Sequence, residues 1–360
     1  KCISRKHLLL YMAFMMPTIM MIMNGLSLAI YWIGAVLIND AQDMQGKFTL
    51  FSDMVVFSSY AMQVVMSFMM LVMIFIMLPR ASVAAKRILE VLDTEPSIED
   101  GTRDTFPVMK DGEVEFKDVS FKYPDAEEYV LEHISFSAKK GETIAFIGAT
   151  GCGKSTAINL IPRFYDATEG EVFVDGVNVK EYTQEALHNK IGYVSQKAIL
   201  FSGTIADNVA YGENGKAPAT QDDIAMAVKV AQASEFVEKK DQGYDGYVAQ
   251  GGSNFSGGQK QRLSIARAIA RQPEILIFDD SFSALDYKTD RILREALRKE
   301  CKDATKIIVA QRIGTIRDAD KIIVLDDGQI AGMGTHDELM KNCEVYQEIA
   351  YSQLSKEELA

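Results

Sequence analysis

Hydrophobic and polar positions change rhythm twice along this chain. Leu8 to Ile38 runs 31 residues without a charge, and Met54 to Leu78 adds 25 more. A membrane span needs about 20 apolar residues, so each run is long enough to cross a bilayer. A buried soluble helix would be shorter and would show polar residues every second turn, and a secretory leader would end sooner, at small residues. Both runs therefore predict transmembrane helices, about 8–38 and 54–78. Pro17 and Gly25 are tolerable inside such a helix, with a kink expected near Pro17. Ala81 to Leu92 continues helically with Val83, Ile88, Val91 and Leu92 as its apolar stripe. From Asp93 to Gly112 the pattern is polar and punctuated by Pro96, Gly101 and Pro107, which predicts a linker and a domain boundary. Beyond it lie a strand-like alternation over Glu113–Tyr123, short apolar strands at Thr143–Ile147, Glu274–Asp280 and Lys306–Ala310, and a hairpin at Glu171–Val179 around Asp175-Gly176.

Composition sharpens the division. Fourteen of the 18 methionines fall in the first 78 residues, which carry a net charge of +1, whereas the rest of the chain carries −13. Phosphate backbones repel so acidic a domain, so nucleic acid is excluded as a partner. Lys1, Arg5 and Lys6 precede the first span and Arg80, Lys86 and Arg87 follow the second, while the intervening loop (Asn39 to Asp53) sets only Lys47 against three aspartates. The positive-inside rule then places both outer ends in the cytoplasm and the loop outside. Two helices cannot enclose a pathway, and the first residue is Lys1, so the sequence reads as truncated at its N-terminus. The methionines (Met12, Met15, Met16, Met20 and Met23, then Met62 to Met77) suit lipid-facing and interhelical packing, or else a pliable wall for varied apolar substrates. Cys2, Cys152, Cys301 and Cys343 form no CxxC pair and read as free thiols.

The chemistry begins after the strand Thr143–Ile147. Gly148-Ala149-Thr150-Gly151-Cys152-Gly153-Lys154-Ser155-Thr156 follows it and opens a helix that Pro162 stops near Ile161. Strand, G-x-x-x-x-G-K-S, helix is the setting a phosphate-binding loop requires. Its backbone N–H groups and the helix N-terminus face the phosphates. Lys154 neutralises the β- and γ-phosphates, and Ser155 offers its hydroxyl to Mg²⁺. The strand Glu274–Asp280 delivers two carboxylates at its C-terminal end, where a parallel sheet meets its ligand, so Asp279 is the Walker B carboxylate that holds Mg²⁺ through water. Cys152, at a helix N-terminus, is expected to be an alkylatable thiol that nucleotide protects, unless its side chain points into the fold.

Asn254-Phe255-Ser256-Gly257-Gly258-Gln259-Lys260-Gln261-Arg262 resembles the LSGGQ signature of ATP-binding cassette (ABC) transporters, with Phe255 in place of the usual leucine. Tyr123 matches the aromatic that stacks on adenine, Gln196 in Tyr193-Val194-Ser195-Gln196 the Q-loop glutamine (a catalytic and Mg²⁺-facing position), and Ser283-Ala284-Leu285-Asp286 the D-loop. Two apolar helices running into such a domain resemble the exporter type. The resemblance implies an all-α transmembrane segment (residues 1–92) and an α/β P-loop NTPase of the ABC ATPase type (113–360). It also implies ATP and Mg²⁺ as ligands, four earlier helices, and a plasma-membrane, multi-pass protein with a cytoplasmic ATPase domain. Ser256, Gly257 and Gly258 begin a helix that runs to about Ala270 and make a second anion-facing N-terminus. In the family it closes over the γ-phosphate held by a second cassette docked head to tail.

Two positions depart from the family pattern. Asp280 stands where a glutamate polarises the attacking water, and Gln311 stands where a histidine is usual. Aspartate is one methylene shorter, and an ångström of misplacement costs on the order of a hundredfold. Glutamine cannot become cationic as charge builds on the γ-phosphate. His336 is no substitute, because Thr335-His336-Asp337-Glu338 reads as a helix capping box. Together the departures resemble the weakly active half of a heterodimeric exporter of hydrophobic substrates, drug or lipid, whose intact signature serves the partner half-transporter's site. The alternatives are a homodimeric exporter tolerating both residues, a cassette of the DNA-repair or chromosome-organising kind, disfavoured by the spans and the charge, and a binding-only regulatory subunit.

Overall fold

The computed structural model describes residues 2–104, 111–240 and 242–353, with side chains from Phe14 onward except Met15 and Met16. Lys1, Pro107 and the side chains of Cys2, Arg5, Lys6, Met12, Met15 and Met16 lie outside the described residues. The chain divides into two compact units, residues 1–97 and 98–360.

The first unit is a pair of helices, Cys2–Asp40 and Met44–Leu92. The loop expected over Asn39–Asp53 is only Ala41–Asp43. Asp43 caps the second helix by accepting from the Gly46 N–H at 3.0 Å, so residues 44–53 already have a helical N-terminus and need no loop. The first helix is continuous across Pro17, and the Thr18 hydroxyl donates to the Phe14 carbonyl at 2.8 Å. The second helix is also continuous, across Pro79. At about 1.5 Å per residue its 49 residues reach roughly 74 Å, more than twice a hydrocarbon core of about 30 Å. Its later turns carry Arg80, Lys86 and Arg87. Gly34 is buried where the helices meet, and a Cβ there would collide with the Met54 side chain. Glycine therefore lets the pair approach closely.

The second unit is built on a six-stranded sheet. Its spatial order is Gln329–Gly334, Lys321–Asp326, Thr143–Ile147, Thr305–Val309, Ile275–Asp279, Ile191–Val194, and only the first pair is antiparallel. The inner strands Thr143–Ile147, Ile275–Asp279 and Thr305–Val309 are covered on both faces, which is why they read as largely apolar runs. Ile144, Phe146, Ile277 and Val309 point to a core shared with a four-stranded antiparallel sheet (Leu131–Ala138, Val114–Phe121, Glu169–Val174, Val177–Asn178). Ala145, Ile147, Phe278 and Ile308 point to a core shared with helices that include Gln221–Val230 and Gly257–Ala270. Residues 101–103, expected as free linker, pair with this unit instead. Gly101 N–H donates to Tyr182 O and Thr102 N–H to Glu181 O, both at 3.1 Å, and Thr183 N–H donates back to Arg103 O at 3.0 Å. These backbone bonds tie the polar segment down where its sequence gives no strand pattern.

Candidate functional site

Strand order assembles the site. At the C-terminal ends of four adjacent parallel strands the chain turns into the phosphate loop, Gln311, Asp279-Asp280 and Gln196, in that lateral order. Strand Thr305–Val309 lies between the phosphate-loop strand and the carboxylate strand, so Gln311 emerges beside both.

The phosphate loop folds around its lysine. Lys154, 8% exposed, donates from Nζ to the carbonyls of Gly148 (2.8 Å) and Ala149 (2.6 Å), with Cys152 Sγ at 3.5 Å. Gly148 has φ +153° and a Cβ on it would strike the Leu325 carbonyl, so no side chain fits there. Gly151, also at positive φ, faces open space. Cys152 is 6% exposed and belongs to the core between the sheets. Its side chain points into the fold, which corrects the expectation of an accessible nucleophile. Helix Lys154–Asn159 starts at Gly153 with no side-chain cap, so its first N–H groups, with those of Ser155 and Thr156, are free to face an anion.

The Ser155 hydroxyl donates to Asp279 Oδ1 at 2.7 Å. A hydroxyl beside a carboxylate supplies the hard oxygen donors Mg²⁺ takes, with room left for water and substrate phosphate, so these residues fit the ion. Tyr193, three residues before Gln196, completes this cluster. Its hydroxyl donates to Asn159 Oδ1 at 2.9 Å and lies 3.4 Å from Asp279 Oδ2. Burial, with the Asp279 charge, pushes the Tyr193 hydroxyl above the ordinary tyrosine value. The sequence signal for Tyr193 was its place in the Tyr-Val-Ser-Gln run, which had singled out only Gln196.

The three expected catalytic side chains meet at one atom. Asp280 Oδ2 accepts from Gln311 Nε2 at 2.8 Å and from Gln196 Nε2 at 3.4 Å. Asp280 is 7% exposed. Burial raises its carboxyl above the usual carboxylate range, hydrogen bonds from Ser283 and Gln196 oppose the shift, and the Asp279 charge adds to it. Its backbone has φ +46°, the left-handed region, which Asp and Asn enter more readily than Glu. Gln196 faces Asp280 through its amide nitrogen.

Tyr123 stands at the edge of the same loop, its hydroxyl 3.1 Å from Thr156 Oγ1 and its ring edge-on to Phe121 and Tyr165. An aromatic ledge there suits a nucleobase.

The signature forms its own capped helix start. Ser256 Oγ accepts from Gln259 N–H at 3.3 Å, and Gln259 Oε1 accepts from Ser256 N–H at 3.0 Å. Gly257 has nothing within 4 Å of a would-be Cβ, whereas one on Gly258 would lie 3.1 Å from the Ala284 carbonyl. Asp286 caps the next helix by accepting from Thr289 N–H at 3.0 Å, and the Thr289 hydroxyl, with that N–H, lowers its carboxyl from the ordinary value. Among the described residues no hydrogen bond joins the signature to the phosphate loop. Two connectors had no signal in the sequence. Buried Gln261 donates to Ser195 O at 3.2 Å, joining the signature helix to the Gln196 loop, and Arg312 donates to the carbonyls of Ser283 (3.2 Å) and Leu285 (3.3 Å). His336 sits in the expected capping box, with Glu338 accepting from Thr335 N–H at 2.8 Å.

Within the helix pair, a groove of about 900 Å³ is lined by Met66, Met69, Met70, Met73 and Met77, with Gln63 among them. Five of the methionines that suggested a pliable wall therefore face one space.

Residues 131–283 match the family model described as ABC transporter. The chain is 44% identical over 344 residues to an uncharacterized ABC transporter ATP-binding protein of Mycobacterium bovis, covering 95% of this chain and 58% of that protein. It is 42% identical over 276 residues to an ATP-dependent lipid A-core flippase of Haemophilus influenzae, covering 77% of this chain and 46% of the flippase. It is also 44% identical over 262 residues to a putative multidrug export ATP-binding/permease protein of Staphylococcus aureus, covering 73% and 45%. A solved bacterial Atm1-family ABC exporter with ATP bound superposes with a TM-score of 0.77 at 34% identity, over 87% of this chain and 54% of that one. The chain spans about half the length of the curated relatives it matches.

Proposed function

From the premise that the chain belongs to the ABC transporter family, we propose that it is one half of an exporter dimer. It couples ATP hydrolysis to the export of a hydrophobic, drug- or lipid-like substrate across the plasma membrane. Two of its relatives carry names for a lipid A-core flippase and a multidrug export protein, and both helices are long and apolar enough to cross a membrane. The ATPase domain is cytoplasmic in this reading, and the methionine groove is a candidate piece of the substrate wall.

At its own nucleotide site the chain holds ATP that turns over slowly. Lys154 and the phosphate-loop N–H groups would hold the phosphates, Tyr123 would support the base, and Ser155 and Asp279 would hold Mg²⁺, which would neutralise phosphate charge. One observation carries the weak-site reading: Gln311 and Gln196 converge on the short carboxylate of Asp280. A carboxylate held by two amides, one methylene short of the usual glutamate, is poorly placed to orient water. Gln311, standing where a histidine is usual, cannot turn cationic as charge builds on the γ-phosphate. The capped signature Ser256–Gln259 then serves a second half-transporter, whose own Walker motifs it completes. We take that partner to be a different chain.

The test is steady-state ATP turnover of the reconstituted transporter carrying Asp280→Glu with Gln311→His, alone and with the partner's signature set to Ser-Gly-Gly-Gln. Recovery that is strongly more than additive is the expected result. Full recovery from this chain's repair alone, or hydrolysis at an ordinary rate by the wild-type chain purified without a second gene product, refutes the heterodimer in favour of a homodimeric exporter.

A further inference from the structure

We propose that Gln353 is a positioning residue for Gln311, clamping the last turn of the C-terminal helix onto the loop that faces Asp280. The inference rests on the proposed reading of the nucleotide site, in which the Gln311 amide, beside Asp280, hydrogen-bonds the γ-phosphate.

The loop needs a clamp for a local reason. Gln311 follows the end of strand Thr305–Val309, and a four-residue helix, Ile313–Ile316, starts two residues later. That helix has Arg312 as its N-cap and no side-chain cap bond. Its first N–H groups therefore lack the partner that Ser, Thr, Asp or Asn would give. Gln353 supplies one from 40 residues away. Its Oε1 accepts from Ile313 N–H at 2.9 Å, and its Nε2 donates to the Gln311 carbonyl at 2.8 Å. One acceptor meets a donor and one donor meets an acceptor, so the amide fits in one orientation only.

The two bonds grip the backbone on either side of Arg312. That residue's guanidinium reaches the Ser283 and Leu285 carbonyls at 3.2 and 3.3 Å. The Gln311 side chain leaves the same backbone and reaches Asp280 at 2.8 Å. The far side of the clamp is packed into the core. Helix Glu344–Gln353 buries Tyr346 and Ala350 in the core that holds Ile313 and Ile316, and the Tyr346 hydroxyl is 2.8 Å from His336 Nδ1. Gln353 is the last residue of that helix, three positions beyond the buried Ala350, so the helix brings its amide to the loop. Gln353 touches no reacting atom. It acts by fixing where the Gln311 amide sits.

The experiment uses the reconstituted full transporter and photoaffinity ATP and ADP analogues, reading the preference of this chain's site for ATP over ADP. Gln311→Ala, Gln353→Leu and the double variant are compared, with the thermal midpoint of each. A net hydrogen bond is worth about fivefold in an equilibrium, so Gln353→Leu is expected to lower the preference about fivefold. In the Gln311→Ala background it is expected to change nothing further. An equal loss in both backgrounds, or a lower thermal midpoint with unchanged preference, overturns the proposal in favour of a structural role. If Gln311→Ala lowers the preference and Gln353→Leu does not, Gln353 alone is misassigned. If Gln311→Ala has no effect, the γ-phosphate reading of Gln311 fails and takes the clamp with it. Should Gln353→Leu not fold, Gln353→Glu makes the same comparison, because it keeps an acceptor for Ile313 N–H and loses the donor to the Gln311 carbonyl.

Discussion

Gly257 separates what the signature does within this chain from what it does outside it. The perturbation is Gly257→Ala. Gly257 is the first residue of the 14-residue helix Gly257–Ala270, and a Cβ placed on it finds no heavy atom within 4 Å. Within the chain the substitution is therefore free of steric cost. Alanine outranks glycine in a helix interior by about 1 kcal/mol, and we take about half of that, ~0.5 kcal/mol, for the first turn. For a domain of this size 1 kcal/mol moves the thermal midpoint by about 2–4 °C, so Gly257→Ala is expected to raise it by about 1–2 °C. A phosphate brought by a second cassette would have to retreat by about an ångström from the new methyl, and a misplacement of that size costs on the order of a hundredfold in rate. The assay pairs thermal unfolding with ATP turnover on the same reconstituted transporter. A variant that is slightly more stable and nearly inactive fits a surface completed from outside the chain. Turnover within a factor of two of wild type refutes the reasoning. So does a midpoint several degrees lower, because the lost activity would then come from damage within the chain.

Lys154→Ala is expected to abolish nucleotide photolabelling of this chain while leaving part of the transporter's ATP turnover, because Lys154 serves only the site on its own loop; unchanged labelling would remove the phosphate-loop assignment. For pH, burial lowers the His336 imidazole below its ordinary value, and the Arg317 charge adds to the shift. Between the lowered folded value and about 6.5 in the unfolded chain, the unfolded state binds more protons, so stability falls as pH drops below about 6.5. The thermal midpoint of His336→Asn should fall less than that of the wild type between pH 7 and pH 5, and identical slopes would show that His336 is not the titrating group.

Much of the chain's identity was legible because it is written in local spacing. The phosphate-loop pattern is nine consecutive residues, and its own carbonyls at Gly148 and Ala149 accept from Lys154. The signature's Ser256 and Gln259 cap each other three residues apart, and the apolar runs announce long helices by their length alone. Such features need only nearest neighbours and a backbone period, so sequence order carries them. Even there, the reach of the second helix back to Met44 was hidden, because its starting cap, Asp43, sits in a stretch of mixed polarity. Tertiary structure decided what depends on strands far apart in the chain. The order of the six-stranded sheet puts Gln311 between the phosphate loop and the carboxylates. Asp280 meets Gln311 across 31 positions and Gln196 across 84. The burial of Cys152 follows from its place between two sheets, and the pairing of residues 101–103 with 181–183 follows from backbone groups that any sequence possesses. Gln353 is the clearest case. Its residue type announces nothing, and only the packing of the C-terminal helix brings one amide to a helix start that lacked a cap.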